Sequence, residues 1–245
     1  MSRALIVGGA NGIGLSIATQ LAKRDDYEKI YIIDKVSVAE EYIHQKFECI
    51  LFDLESDDFS LFNNFDDVDT LMITAGFGRL SLFKDINEQH IIDSFVVNTI
   101  APIRIIHYFI NKLRKPNDFK CGIMGSIAGF MSSPFFAVYG ATKAALKIFI
   151  ESINVELEKD GSSNRILNVS PGSIKGTSFN HCKTDLDITE ILANEIISRL
   201  ESKDDLFIPQ YEEIFKEVLN RYHVDFREEG RRSYEYKVNS GRVRK

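Results

Sequence analysis

The chain has 245 residues, 44% of them hydrophobic and 27% charged, with a formal net charge of −6. That length suits one large α/β domain with a substantial core. The acidic balance lacks the basic excess that nucleic-acid or membrane-surface partners favour, and no stretch is long and apolar enough to span a bilayer.

In chain order, residues 4–7 form a short apolar run ending in glycines, the pattern of a buried parallel strand feeding a turn. Ile13, Ile17, Ala18 and Leu21 follow at helical spacing. A second strand covers residues 29–33, with Asp34 at its end. A third covers 48–52 and ends at Asp53, and a fourth covers 68–74, followed by Ala75 and Gly76. Residues 86–109 predict a long helix that Pro102 bends or splits, because proline has no N–H to donate. A fifth strand at 121–125 precedes a helix over 137–158, ended near Gly161. A sixth strand at 165–169 runs into Pro171 and Gly172. A helix over 190–200, a strand at 206–208 and a helix over 211–222 complete the pattern.

Strands alternating with helices predict a single Rossmann-type domain over residues 1–245: a doubly wound parallel sheet with helices on both faces. From His223 the periodicity is weak. The segment 223–245 is basic at 227–245 but interleaved with Glu228, Glu229 and Glu235, and it carries Phe226, Tyr234 and Tyr236. It is expected as a solvated, loosely ordered end, or as a segment packed on the domain or on a neighbouring subunit.

The first nine residues hold one positive charge and a very short apolar run, too little for a signal peptide, so the expectation is a cytoplasmic chain. Cys49, Cys121 and Cys182 are widely spaced, which predicts reduced, structural cysteines. His44, His90, His107, His181 and His223 form no pair at ligand spacing, so no metal site is expected.

Gly8, Gly9, Gly12 and Gly14 cluster between the first strand and the first helix, and an acidic residue, Asp34, stands 20 residues beyond Gly14. Missing Cβ atoms let a backbone approach a pyrophosphate, and the helix N-terminus offers free N–H groups and a favourable dipole. Tyr139 and Lys143 are four apart at the start of a predicted helix and share a face. Ser126 lies at the end of the fifth strand. In open parallel sheets ligands gather beyond those strand ends. Ser126 with a histidine and an aspartate would suggest a hydrolase, but it has no G-x-S-x-G elbow and precedes a loop.

These motifs together resemble the short-chain dehydrogenase/reductase family. Gly8, Gly12 and Gly14 match its glycine turn, with Asn11 and Ile13 inside it and Val7 standing where the family usually has Thr. Asp53 and Leu54 resemble its adenine-contacting pair. Thr74, Ala75 and Gly76 resemble its N-A-G motif, with Thr for Asn. Asn98 resembles its active-site Asn. Ser126 precedes Tyr139 by 13 residues, as the family's catalytic Ser does. Pro171, Gly172 and Ile174 resemble the motif beside the nicotinamide. Gly125 replaces a frequent Ser, and Gly176 stands where a cofactor-contacting Thr is common, with Thr177 next to it.

The resemblance implies an oxidoreductase that interconverts an alcohol and a ketone or aldehyde with NAD, in preference to NADP because of Asp34. Asn98, Ser126, Tyr139 and Lys143 would be the proton relay, with Tyr139 as acid/base. Lys143 and the oxidised cofactor would lower its pKa from about 10, Lys143 would also bind the nicotinamide ribose, and Asn98 would hold a water leading to solvent. Residues 173–203 would be the substrate-covering segment. The two long helices would pair in a homodimer or homotetramer, with Phe149 and Ile153 at the contact. Phe130, Phe135 and Phe136 suit an apolar pocket or the core equally. Two other readings share the fold: a non-catalytic dinucleotide sensor, and an epimerase or dehydratase. The complete relay opposes the first, and the short stretch after Ile174 the second.

Overall fold

The computed structural model describes residues 1–177, 179, 183–241 and 243; His181, Cys182 and part of the polar stretch 180–187 lie outside them. The strands are β1 (Ser2–Val7), β2 (Tyr27–Asp34), β3 (Phe47–Leu51), β4 (Thr70–Ile73), β5 (Lys120–Met124), β6 (Ile166–Val169) and β7 (Leu206–Phe207). All pair in parallel in one sheet, in the order β3-β2-β1-β4-β5-β6-β7. The helices are α1 (Gly12–Ala22), α2 (Glu88–Phe95), α3 (Ala101–Arg114), α4 (Ala137–Lys159), α5 (Leu186–Glu201), α6 (Lys216–Val224) and α7 (Phe226–Asn239).

Leu15, Ala18 and Leu21 of α1 and Leu192, Ile196 and Leu200 of α5 bury one face of the sheet against Ala4, Ile6, Ile30 and Ile32. Ile105 and Phe109 of α3 and Leu146 and Ile150 of α4 bury the other against Leu5, Val7, Leu71 and Ile73. Each fully buried Val, Leu, Ile or Phe among these contributes roughly 1.5–3 kcal/mol. Alternate strand residues feed opposite cores, as the pleat requires.

The register sets up the site. Val7 pairs with Ile33 and Ile73, and Ile73 with Ile123. Gly8, Asp34, Thr74 and Met124 therefore stand in line at the carboxyl edge. The strand order reverses between β1 and β4, which places a ligand crevice there.

Three elements differ from the sequence expectation. The helix expected over 86–109 is α2, a π-helical turn at Val96–Ile100, then α3. Pro102 cannot donate to the carbonyl of Asn98 four residues back, and the ladder takes the wider turn just before it. The helix expected at 190–200 begins at Leu186, because the Asp185 carboxylate caps the N–H of Ile188 at 3.2 Å. The tail is not a loose end. Asp225 caps the N–H groups of Arg227 and Glu228, and a 14-residue helix, α7, follows and packs on the chain itself. Its exposed Arg231 and Arg232 pair with Glu228 on its own surface.

Phe149 and Ile153, expected at a subunit contact, are half-buried and pack in part against the core. The exposed large apolar residues of α4 are Ile148 and Val155. Among the described residues no helix is long and apolar enough to cross a membrane, and no three His, Cys, Asp or Glu side chains group to hold a metal ion.

Candidate active site

The glycine turn connects β1 to α1. Gly8 has φ +84, and a Cβ there would lie 2.3 Å from the backbone nitrogen of Ala75. A Cβ on Gly14 would lie 2.3 Å from the Gly8 carbonyl oxygen and 2.4 Å from Thr74 Oγ1. Only glycine satisfies either position. Thr74, standing where the family has Asn, donates to that Gly8 oxygen at 2.8 Å, so its hydroxyl braces the turn from β4. Asn11 occupies the cap position of α1, and its first turn holds no acidic residue. Ile13 packs against the α1–α5 core. A helix N-terminus free of acidic side chains behind a close-packed glycine turn fits a dinucleotide's pyrophosphate.

Asp34 accepts from the N–H of Ala10 at 3.0 Å and of Val36 at 3.3 Å. Lys35 beside it is exposed. Asp53 accepts from the N–H of Glu55 within its own turn. Leu54 buries its side chain in the core beside Phe52 and Phe59, so it offers the crevice only backbone.

On the other side of the crevice, Ser126 begins a tight turn and accepts from the N–H of Ala128 at 3.2 Å. Gly125 just before it explains the missing Ser: a Cβ there would strike Asn168 Oδ1 at 2.2 Å and Ser170 Oγ at 2.5 Å. Tyr139 lies on the first turn of α4 and Lys143 one turn on. Lys143 is buried, donates to the Met124 carbonyl at 2.8 Å, and lies 5.8 Å from the Tyr139 ring centroid.

Asn98 is fully buried in the π-helical turn. Its amide donates to the Phe77 carbonyl at 2.8 Å and accepts from the Phe77 N–H at 2.9 Å, and it reaches Thr142 Oγ1 at 3.2 Å. Its side chain thus fixes the strand-to-helix connection at Gly76. A Cβ placed on Gly76 would lie 3.1 Å from Asn98 Oδ1 and 3.3 Å from Lys143 Nζ, so these two groups flank one point.

The electrostatics differ from the sequence expectation. Burial pushes the Tyr139 hydroxyl up to about 12, and a hydrogen bond to Ser126 opposes this. Burial pulls the Lys143 ammonium down to about 8. The expectation has Lys143 and the oxidised cofactor together lowering Tyr139. In the chain alone, desolvation of the phenolate outweighs the Ser126 hydrogen bond.

The Pro171 carbonyl accepts from the N–H of Ile127, tying β6 to the Ser126 turn. Gly172 lies against the Phe215 ring. Ile174 packs partly on the core, and its carbonyl accepts from Thr177 Oγ1 at 2.9 Å. Two contacts had no sequence signal. Thr184 Oγ1 accepts from the N–H of Gly12 at 3.0 Å, across 172 positions of chain. Phe179 packs on Tyr139 with ring centroids 5.2 Å apart. Phe130, Phe135 and Phe136 divide: Phe130 packs with Ile127, Ile208 and Leu219, Phe135 turns under α7, and Phe136 meets the Tyr139 ring at 5.2 Å.

Fold and site together define a Rossmann-type protein with a dinucleotide turn and a Ser-Tyr-Lys cluster on one sheet edge. The chain belongs to the short chain dehydrogenase family, whose model matches residues 2–186. It is 26% identical over 184 residues to the uncharacterized oxidoreductase TDA5 of Saccharomyces cerevisiae, covering 71% of this chain and 56% of that protein. The matched stretch is thus little more than half of that relative's length. Among solved structures, the bulky-bulky ketone specific alcohol dehydrogenase from Comamonas testosteroni superposes with a TM-score of 0.73 at 22% identity, over 91% of this chain and 92% of that one. An alcohol dehydrogenase from Thermococcus sibiricus complexed with 5-hydroxy-NADP gives 0.70 at 20% identity, over 85% and 95%. These two likenesses establish the shared fold.

Proposed function

We propose that the chain is an NAD-dependent oxidoreductase that interconverts an alcohol and a ketone or aldehyde, with Tyr139 as proton donor and acceptor. The observation that carries this is the convergence of Ser126, Tyr139 and Lys143 on the sheet edge that holds the glycine turn. When bound, the cofactor supplies the hydride-transfer chemistry. Gly8, Asn11, Gly12, Ile13 and Gly14 hold its pyrophosphate, Asp34 its adenosine ribose, and Asp53 and the Leu54 backbone its adenine. Ala75, Gly76, Pro171, Gly172, Ile174 and Thr177 line the nicotinamide end.

Ser126 and Tyr139 hold the substrate oxygen between them. A phenol raised to about 12 is protonated at neutral pH and ready to donate in the reducing direction. An ammonium within about 4–6 Å favours the phenolate that remains, which is the role of Lys143 beside its contact with the ribose. The Asn98 carbonyl, to which Pro102 gives no N–H, is the acceptor for a water joining Lys143 to solvent.

The same reading includes a homodimer or homotetramer paired through α3 and α4, where Tyr108, Ile148 and Val155 are exposed. Light scattering at micromolar concentration tests it, and a monomer contradicts it. The activity is tested by NADH absorbance against a panel of alcohols and ketones. Turnover of exogenous NAD(H) is expected. Tight NAD binding without turnover of any member would abandon the reading in favour of a sensor.

A further inference from the structure

Lys237, on the C-terminal helix α7, is only 7% exposed. A buried ammonium is costly unless its donors are engaged. These are: Lys237 Nζ donates to Ser133 Oγ at 2.6 Å, to the Pro134 carbonyl at 2.7 Å and to Ser233 Oγ at 3.2 Å. It also lies 5.4 Å from the centroid of the Phe136 ring, a cation–π contact.

Ser133, Pro134 and Phe136 belong to the connection between Ser126 and Tyr139. One turn earlier on the same face of α7, Tyr234 stacks on Phe135 with centroids 4.7 Å apart. Phe135 has φ +69, a left-handed conformation that a bulky residue adopts only when its surroundings impose it. Tyr234 and Lys237 thus clamp the loop at adjacent points. Phe135 is turned away under the helix and Phe136 toward the site. The Phe136 ring lies 5.2 Å from Tyr139 and 6.1 Å from Phe179. The helix itself is tied down through buried Glu229, which holds Arg221 of α6 in two hydrogen bonds of 2.7 and 3.2 Å. A substrate oxygen at Tyr139 has its substituents beside these rings, and residues 130–137 carry no charge.

We propose that α7 is the outer support of the substrate pocket, and that Lys237 is a positioning residue that sets Phe136 as an aromatic wall for a ring-bearing ketone or alcohol. This rests on the oxidoreductase reading above and names its substrate class. The α7 side chains that hold the wall, Tyr234 and Lys237, lie beyond residue 186, where the family model's match ends.

The test uses the full chain and the Lys237→Met variant, which keeps an unbranched apolar stem without its donors. Phenyl ketones are compared with small aliphatic ketones, using NADH. The expected result is a KM about tenfold higher for the phenyl ketones, a kcat within about twofold, and little change in the aliphatic KM or in NADH binding. Ser133→Ala should move KM the same way, and the double variant should lose no more than Lys237→Met alone, because both act through one contact. If Lys237→Met does not fold, Ser133→Ala carries the test. An equal KM rise for both ketone classes, additive losses, or unchanged kinetics would overturn the proposal. If the wild type turned over no ketone while binding NADH, the activity itself would fail, a result distinct from a wrong assignment of Lys237.

Discussion

The carboxylate of Asp34, at the end of β2, accepts the backbone N–H of Ala10 in the glycine turn at 3.0 Å. One side chain therefore shapes the turn from the end of the neighbouring strand. In the proposed function its remaining lone pairs would accept from ribose hydroxyls.

Cofactor choice follows from that carboxylate. A 2′-phosphate would meet it anion to anion, and Lys35, the neighbouring cation, is exposed. Losing a charge-assisted hydrogen bond costs about 1.5–3 kcal/mol, so kcat/KM should favour NAD over NADP by roughly tenfold or more. Asp34→Ala should erase the preference and also weaken NAD, because Ala10 loses its acceptor. Asp34→Asn should relax the preference while keeping the turn. Equal use of both cofactors by the wild type would remove this role from Asp34.

Gly8→Ala should damage stability and cofactor binding together. The new Cβ meets Ala75 backbone at 2.3 Å, which cannot swing aside, and φ is +84. Gly161→Ala is the control, with φ +78 and nothing within 4 Å. The control should lose about 1–2 kcal/mol from backbone conformation alone. Gly8→Ala should lose more than that and at least tenfold in NAD affinity. Equal losses in urea unfolding would show that the turn is not close-packed.

Burial of Lys143 makes stability pH-dependent. Its folded pKa is about 8 against an ordinary 10.5. Between these values the unfolded chain holds a proton that the folded chain has released, so this group's contribution rises with pH through that window and is constant below it. Lys143→Met lacks the group. The unfolding free energy of the wild type relative to this variant should increase by about 3 kcal/mol from pH near 8 to above 10. A gap that stays flat, or one that narrows, contradicts the burial of a titrating ammonium.

The succession of strands and helices, the glycine turn and the Tyr139–Lys143 spacing are legible in the sequence because each depends on local pattern: an apolar run, missing Cβ atoms, a helical spacing of four. The order of the strands in the sheet is not, because it joins segments far apart in the chain. The helix expected over 137–158 ends within a residue of α4. The tail is not legible. The helix α7 reads as polar, and what holds it is a cap at Asp225 and contacts to Ser133, Pro134 and Phe135, which are about a hundred positions away. The Gly12–Thr184 contact escapes for the same reason. Gly125 reads as a departure without a cause, and the cause is Asn168 and Ser170 on and just beyond the neighbouring strand. The electrostatics of Tyr139 also lie beyond the sequence, because spacing shows that Lys143 is near but not how far both groups are desolvated.

The central claim is that the Tyr139 hydroxyl carries the proton while the rest of the site binds the cofactor. It is tested most directly by comparing wild type with Tyr139→Phe in two measurements on the same protein: NADH dissociation constant, and turnover of a ketone that the wild type reduces. Phenylalanine keeps the ring between Phe136 and Phe179 and removes only the oxygen. The expected result is an NADH affinity within about threefold and a turnover lower by about 10²–10⁴-fold. Turnover at the wild-type rate in the Tyr139→Phe variant, with cofactor bound, would contradict it.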